Sequence, residues 1–160
     1  VNMNPVNKYL LMKPSTRGII EWFLLFFVGG CGYFFSTLIL PLNLYFLTLG
    51  ISFLILGFII HGLSHKEHKQ AHSKAEDIEK IVTTGIYSKI RHPGYLGLIL
   101  MYFGVALLFH NILANIAAVI LSFLQILTAF AEERFLIKKF GEEYEEYMRR
   151  VPWRFIPKVF

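Results

Sequence analysis

The chain contains 160 residues, of which 55% are hydrophobic and 16 are phenylalanine, and its mean hydropathy is +0.52. This composition predicts a single domain, residues 1–160, whose apolar surface faces lipid as well as a protein core. The net charge of +5 favours a membrane surface over nucleic acid as a partner, and the single Cys31 excludes an intramolecular disulfide.

Two long uncharged runs predict the membrane topology. Residues 22–65 and residues 92–131 contain no Lys, Arg, Asp or Glu. At a rise of ~1.5 Å per residue, each run is about twice the length of a helix that crosses a ~30 Å hydrocarbon core. Each run is therefore a predicted hairpin, turning at Pro41–Asn43 in the first and at His110–Asn111 in the second. The predicted fold is an all-α membrane protein with four transmembrane helices, at about 18–40, 44–64, 94–109 and 112–131.

The basic residues predict the orientation of these spans. All Lys and Arg lie in residues 8–17, 66–91 and 134–158, which share one side of a four-span arrangement. Cytoplasmic loops are enriched in basic residues, so both termini and the central loop are predicted to be cytoplasmic. No cleavable signal peptide is expected, because the first apolar run has the length of a span and lacks a small-residue cleavage site.

Small residues and histidines stand out along the spans. Close helix packing is predicted at Gly29, Gly30, Gly32, Gly50, Gly57, Gly62, Gly97 and Gly104. Four histidines share one face of the second helix and its predicted extension through His65–Lys74: His61, His65, His68 and His72. This stripe covers ~16 Å at ~1.5 Å per residue, too far for one ion to reach all four. Polar packing is therefore favoured over a metal site.

Two polar clusters are predicted to meet at the cytoplasmic end of the second hairpin. Pro93 suits the first position of a helix, so His92-Pro93 either caps the third span or presents its positive end to an anion. Glu132-Glu133 follows the fourth span, where acidic residues oppose the helix dipole. This pair is interpreted either as an ion-pair partner of Arg91, Arg134 or Lys138, or as a ligand contact. A helix N-terminus beside a carboxylate would suit an amino-acid-like zwitterion.

Beyond Glu133, apolar residues recur at helical spacing among charged ones. This pattern predicts a C-terminal amphipathic helix lying at the membrane interface. Gly141 is expected to interrupt the helix, and Pro152 is expected to end it.

Four motifs in order resemble the integral-membrane methyltransferases of the isoprenylcysteine carboxyl methyltransferase and phospholipid methyltransferase family. They are Lys80–Tyr87, Arg91–Gly97, Glu132-Glu133, and Phe140–Tyr147 with Val151-Pro152. The resemblance covers about residues 72–157, whereas the first two spans match only in character. It implies S-adenosylmethionine as methyl donor and a lipophilic acceptor, such as a prenylcysteine-type carboxylate or a phospholipid amine.

The resemblance also implies roles for individual residues. The adenosine end would be held by Glu79, Lys80, Ile81, Val82 and Tyr87. The methionine portion would be surrounded by His92, Pro93, Gly94 and Tyr95, with Glu132 on its ammonium and His72 as a further contact.

The chain departs from the family at one position. Prenylcysteine-type members resemble one another in an arginine one turn before the cofactor glutamate, and Thr128 stands there. Threonine supplies neither charge nor a bidentate fork. The remaining candidates for binding an acceptor carboxylate are Arg91 and Arg154.

Two other classes stay open from the sequence. The NADPH-dependent sterol reductases resemble this chain in their C-terminal half, although they need more spans. A non-catalytic membrane assembly protein is the other alternative.

Overall fold

The computed structural model describes residues 5–35, 38–41, 43–68 and 75–159, and these ranges form α-helices and turns without a β-strand. The α-helices are α1 (Pro5–Leu10), α2 (Pro14–Phe34), α3 (Leu44–Glu67), α4 (Pro93–Leu108), α5 (Ile112–Phe140) and α6 (Glu142–Arg150). Short 3-10 turns occupy Ala75–Asp77 and Gly85–Ser88.

Within the described ranges, three helices are long and apolar enough to cross a membrane, judged by length and composition: α2, α3 and α5. The chain is accordingly an all-α integral-membrane protein, as predicted. The predicted third span corresponds to α4, an apolar helix of 16 residues. At ~1.5 Å per residue, α4 is ~24 Å long, somewhat less than a ~30 Å hydrocarbon core. A fourth crossing therefore stays a prediction.

An asparagine at each predicted turn caps the helix that follows it, and residue 42 of the first turn lies outside the described residues. The Asn43 side chain accepts a hydrogen bond from the Tyr45 amide, at 2.9 Å. Asn111 caps α5 in the same way through Ala114 N and also donates to the Gly29 carbonyl at 3.0 Å. The second turn makes α4 and α5 antiparallel, so the start of α4 and the far part of α5 lie at the same end of the bundle.

Two predicted helix boundaries were wrong. The fourth span was expected to end at residue 131, but α5 continues through both glutamates to Phe140. The loss of apolar residues marks where a helix leaves lipid, not where its backbone hydrogen bonds stop. The second helix was expected to continue through His65–Lys74, yet α3 ends at Glu67. Residues 69–74 lie outside the described ranges.

Glycines bring α3 and α4 close together. A Cβ added at Gly97 would lie 2.9 Å from the Gly57 carbonyl oxygen, and one at Gly104 would lie 2.9 Å from that of Gly50. The predicted close packing is confirmed at these four positions. It is also confirmed for Gly29 against Phe109 and for Gly32 against Asn111. The prediction was wrong for Gly30 and Gly62, where a Cβ would meet nothing within 4 Å.

The amphipathic segment after Gly141 forms α6, as the break at that glycine predicted. Gly141 has φ +58°, a conformation that favours glycine. The apolar face of α6 packs on the protein, in a buried cluster formed by Ile78, Leu136, Tyr144, Tyr147 and Val151. The helix therefore covers the end of α5 and the segment before α4, and its predicted interfacial position stays a prediction.

Candidate functional site

A cavity lies at the end of the bundle where α4 begins, between α1, α2, α3 and α5. Its volume is about 140 Å³, and a smaller cavity of about 30 Å³ adjoins it beside α6. Six residues line both: His68, Ile78, Tyr87, Arg91, His92 and Glu132. Because they share these walls, the two cavities are the larger and smaller lobes of one site.

The two polar clusters predicted to meet do meet in this site. His92 and Glu132 both line the larger lobe, although they are 40 positions apart in the sequence. The Tyr95 hydroxyl donates a hydrogen bond to Glu132 Oε2. The carboxylate of Glu132 therefore forms part of the cavity wall and is oriented from one side by α4.

Glu133, the neighbouring carboxylate, is 3% exposed and serves a different purpose. It accepts hydrogen bonds from Arg91 Nε at 2.7 Å and from Arg154 Nε at 2.9 Å, and it lies 3.0 Å from His92 Nε2. Arg91 also donates to the Val151 carbonyl at 2.6 Å. Glu133 thus joins α5 to the start of α4 and to the C-terminal segment. The ion-pair interpretation of the acidic pair holds for Glu133 and Arg91.

The N-terminus of α4 faces the larger lobe. His92 is its N-cap residue and makes no side-chain cap hydrogen bond, and Pro93 occupies the first turn. Gly94 and Tyr95 line the lobe, whereas Pro93 is buried and lines neither lobe. A helix N-terminus carries partial positive charge and backbone N–H groups without intrahelical partners. This wall of the lobe is therefore suited to a negative group.

The segment before α4 forms the walls of the smaller lobe, where Lys80, Ile81, Val82 and Tyr87 line it. The Tyr87 hydroxyl lies 2.7 Å from Ser64 Oγ, and burial raises the pKa of Tyr87 to about 12. Tyr87 is therefore a neutral, aromatic wall at physiological pH. Glu79 is exposed and lines neither lobe.

Two histidines of α3 contact each other and the start of α4. His61 Nε2 lies 2.9 Å from His65 Nε2, and His61 Nδ1 lies 3.1 Å from the Gly94 carbonyl. No group of three or more potential metal ligands occurs among the residues that the structure describes. His72 lies outside those residues.

His68 is a lining residue of both lobes that sequence reasoning did not select. Its Nδ1 is buried and has no hydrogen-bond partner among the described residues. Burial lowers the pKa of His68, and the negative charge of Glu132 opposes this shift. The signal was present in the histidine stripe, but the resemblance pointed to His72 instead.

A buried polar network adjoins the larger lobe and was also missed. Glu21 accepts hydrogen bonds from Tyr102 and Gln125, both at 2.7 Å, and from Tyr9 at 3.0 Å. Arg17 lies one turn before Glu21, lines the lobe and is 1% exposed. Sequence reasoning treated Arg17 as a flanking basic residue. The available signal was an acidic residue four positions later, on an apolar helix.

The proposed acceptor-binding residues lie in different surroundings. Thr128 lines the larger lobe and donates to the Leu124 carbonyl of its own helix at 2.9 Å. Arg91 lines both lobes, whereas Arg154 lines neither and lies with its guanidinium over the Phe130 ring. Both arginines are bonded to Glu133.

The fold and site define a class: helical membrane proteins with a polar, carboxylate-bearing cavity at one end of the bundle. A family model described as phospholipid methyltransferase matches residues 45–143, more than half of the chain. The chain belongs to the phospholipid methyltransferase family. The matched region begins within α3, earlier than the motifs alone indicated.

Similar proteins are named protein-S-isoprenylcysteine O-methyltransferase. The Schizosaccharomyces pombe protein is 30% identical over 113 residues, which are 66% of this chain and 47% of that protein. The Saccharomyces cerevisiae protein is 33% identical over 114 residues, 64% of this chain and 46% of that protein. A probable member from Oryza sativa subsp. indica is 38% identical over 82 residues, 48% of this chain and 40% of that protein. The chain thus spans less than half the length of these relatives.

Proposed function

We propose that this chain is an integral-membrane methyltransferase that transfers a methyl group from S-adenosylmethionine to a lipophilic acceptor. The observation that carries the proposal is the cavity in which the carboxylate of Glu132 and the N-terminus of α4 line the same lobe. Membership of the phospholipid methyltransferase family and the names of the similar proteins support the same reaction class.

The groups around the cavity fit an amino-acid zwitterion joined to a nucleoside. Glu132 would accept hydrogen bonds from an ammonium, and the α4 N-terminus at Gly94 and Tyr95 would receive a carboxylate. His68 Nδ1 is buried and has no hydrogen-bond partner in the part of the chain that the structure describes, so it offers one more polar contact. Ile81 and Tyr87, on the smaller lobe, would pack against a flat purine.

The chain contributes mainly binding and orientation, which bring two reactants into line. The cofactor, when bound, supplies a methyl group on a positively charged sulfonium. Tyr95 and Glu132 hold each other in place through their hydrogen bond. Leu98, together with Leu10, Leu11 and Met12, gives the larger lobe an apolar wall that suits a hydrocarbon chain entering from the lipid.

The chemistry of the acceptor determines whether a residue must remove a proton. A carboxylate acceptor is ionised at neutral pH and needs no base. An amine acceptor must lose a proton, and His92, Tyr95 or Glu133 would assist its removal. The names of the similar proteins favour a prenylcysteine-type carboxylate, and the family description leaves a phospholipid amine as the alternative.

Cofactor binding is tested by calorimetry on the full chain in detergent. The wild type is expected to bind S-adenosylmethionine and not NADPH. Glu132→Gln is expected to weaken that binding at least tenfold, because a hydrogen bond to a charged group contributes about 1.5–3 kcal/mol. Glu146→Gln is the matched control, since Glu146 is an exposed carboxylate on α6, and it is expected to leave the affinity unchanged.

Two results would contradict the proposal. Binding of NADPH in place of S-adenosylmethionine would favour a sterol-reductase-like enzyme. An affinity unaltered by both Glu132→Gln and His92→Ala would remove the site assignment. Incubating membranes that contain the wild type with radiolabelled S-adenosylmethionine then identifies the acceptor, and the absence of any labelled lipid or protein would favour a non-catalytic role.

A further inference from the structure

Arg17 is a buried arginine with unfilled hydrogen-bonding capacity in the wall of the larger lobe. A guanidinium carries five N–H donors. Arg17 Nη1 donates to the Leu10 carbonyl at 2.7 Å, and Nη2 donates to Gln125 Oε1 at 3.2 Å. Its Nε is buried and has no hydrogen-bond partner among the described residues. A buried donor without a partner is costly, so it marks a place where a ligand atom would be stabilising.

The nearby carboxylate of Glu21 does not satisfy this arginine. Glu21 Oε1 lies 3.5 Å from Arg17 Nε, which is longer than a charge-assisted hydrogen bond. The carboxylate instead accepts from the neutral donors Tyr9, Tyr102 and Gln125. Glu21 is therefore the ion-pair partner of Arg17 but accepts no hydrogen bond from its Nε, so the guanidinium keeps a donor for another anion.

The position of Arg17 separates it from the acidic part of the site. Gln125, which holds its guanidinium, precedes Glu132 by seven residues on α5, about 10 Å at ~1.5 Å per residue. Tyr95 lies between the two charges, because its ring is 5.5 Å from the Arg17 guanidinium and its hydroxyl donates to Glu132. The cavity thus has a cationic end at Arg17, beside the apolar part of α5. Its anionic end is at Glu132, where the apolar part of α5 stops.

We propose that Arg17 is a specificity-determining residue that binds an anionic group of the methyl acceptor at this cationic end. The assignment rests on the proposed function for the identity of the ligand as acceptor. Leu10, Leu11 and Met12 line the same lobe and would contact the adjoining hydrocarbon. Thr128, also in the lobe, carries no charge, so Arg17 supplies the positive charge on this wall. The anion is either a carboxylate on a lipidated cysteine or the phosphate of a phospholipid.

The test measures binding of two probe pairs to the full chain in neutral detergent, without S-adenosylmethionine. One pair is N-acetyl-S-farnesylcysteine and its primary amide, and the other is dioctanoyl-phosphatidylethanolamine and dioctanoylglycerol. In the wild type, the phosphate- or carboxylate-bearing member of one pair is expected to bind at least tenfold more tightly than its uncharged partner. The pair that shows the preference identifies the source of the anion.

Variants assign the preference to Arg17. Arg17→Gln is expected to reduce it below threefold, Arg17→Lys to retain part of it, and Lys13→Gln, an exposed cation one turn earlier, to leave it intact. Arg17→Gln leaves Glu21 buried without a cation, so the double variant Arg17→Gln/Glu21→Gln is measured as well. It is expected to lose the preference while remaining folded.

Three outcomes would overturn the assignment. They are equal binding within both probe pairs by the wild type, a preference that survives in the folded double variant, and a loss of S-adenosylmethionine affinity in Arg17→Gln with the preference intact. The last would assign Arg17 to the carboxylate of the cofactor. A wild type that binds neither S-adenosylmethionine nor any probe would instead contradict the proposed function, so the two failures are distinguishable.

Discussion

Adjacent glutamates at the end of the apolar part of α5 differ in what surrounds them. Glu132 lines the cavity and has Tyr95 as its hydrogen-bond donor, whereas Glu133 is enclosed by Arg91, His92 and Arg154. One helical step turns a side chain by about 100°, so neighbours on α5 face different parts of the structure. A ligand contact and a structural ion-pair hub can therefore occupy consecutive positions.

Glu133→Gln is expected to destabilise the fold strongly. Removing one partner of a buried ion pair costs about 3–5 kcal/mol, because it leaves buried charges uncompensated. The measurement is thermal unfolding in detergent, with Glu132→Gln as the matched control. Equal unfolding temperatures for the two variants would contradict the different roles assigned to the two glutamates.

The pH dependence of stability reports on His68. Burial lowers its pKa in the folded state below the ordinary value of 6.5. Between these two pKa values the unfolded chain binds more protons than the folded one, so stability rises with pH. Above pH 6.5, His68 is neutral in both states and does not reduce stability. As the pH falls from 6.5 towards the folded-state pKa, protonation of the unfolded chain lowers the free energy of unfolding. As the pH is lowered from 7.5 to 5, the unfolding temperature should fall less steeply in His68→Gln than in the wild type. An equal slope in both proteins would contradict the role of burial.

At the scale of elements, the contact between α3 and α4 holds the site together, since His68 follows α3 and lines the same lobe as the N-terminal residues of α4. Gly97→Ala places a Cβ 2.8 Å from the Cβ of His61. Overpacking of this kind costs about 1–3 kcal/mol. The measurement is the free energy of unfolding of Gly97→Ala by denaturant in detergent. The control variant is Gly62→Ala, where the added Cβ meets nothing within 4 Å.

The control is expected to move in the opposite direction. Alanine in a helix interior is more favourable than glycine by about 0.5–1 kcal/mol, so Gly62→Ala should be neutral or stabilising. If both substitutions changed stability equally, close approach of α3 and α4 would not be the reason for glycine at position 97.

At the scale of the whole molecule, the features that could be predicted from the sequence are those set by the length of an apolar run and by the residue types at a turn. The second uncharged run and Asn111 were sufficient to predict the hairpin of α4 and α5, and this hairpin predicted that His92 and Glu132 share one end. Contacts between helices that are not joined in one predicted hairpin could not be predicted. Arg17 and Gln125 are 108 residues apart, and which faces of two helices meet depends on packing that periodicity does not specify. The end of α5 was missed because hydrophobicity reports lipid contact rather than helical hydrogen bonding.

The four-span orientation is the remaining large-scale prediction, and single cysteines test it. In a Cys31→Ser background, Tyr45→Cys and Ile112→Cys report on the two hairpin turns, while Lys89→Cys and Glu146→Cys report on the central loop and α6. A membrane-impermeant maleimide is expected to label the first two in intact cells and the last two only after permeabilisation, because basic segments stay in the cytoplasm. Labelling of Tyr45→Cys and Ile112→Cys from opposite sides would mean that α4 does not cross the membrane.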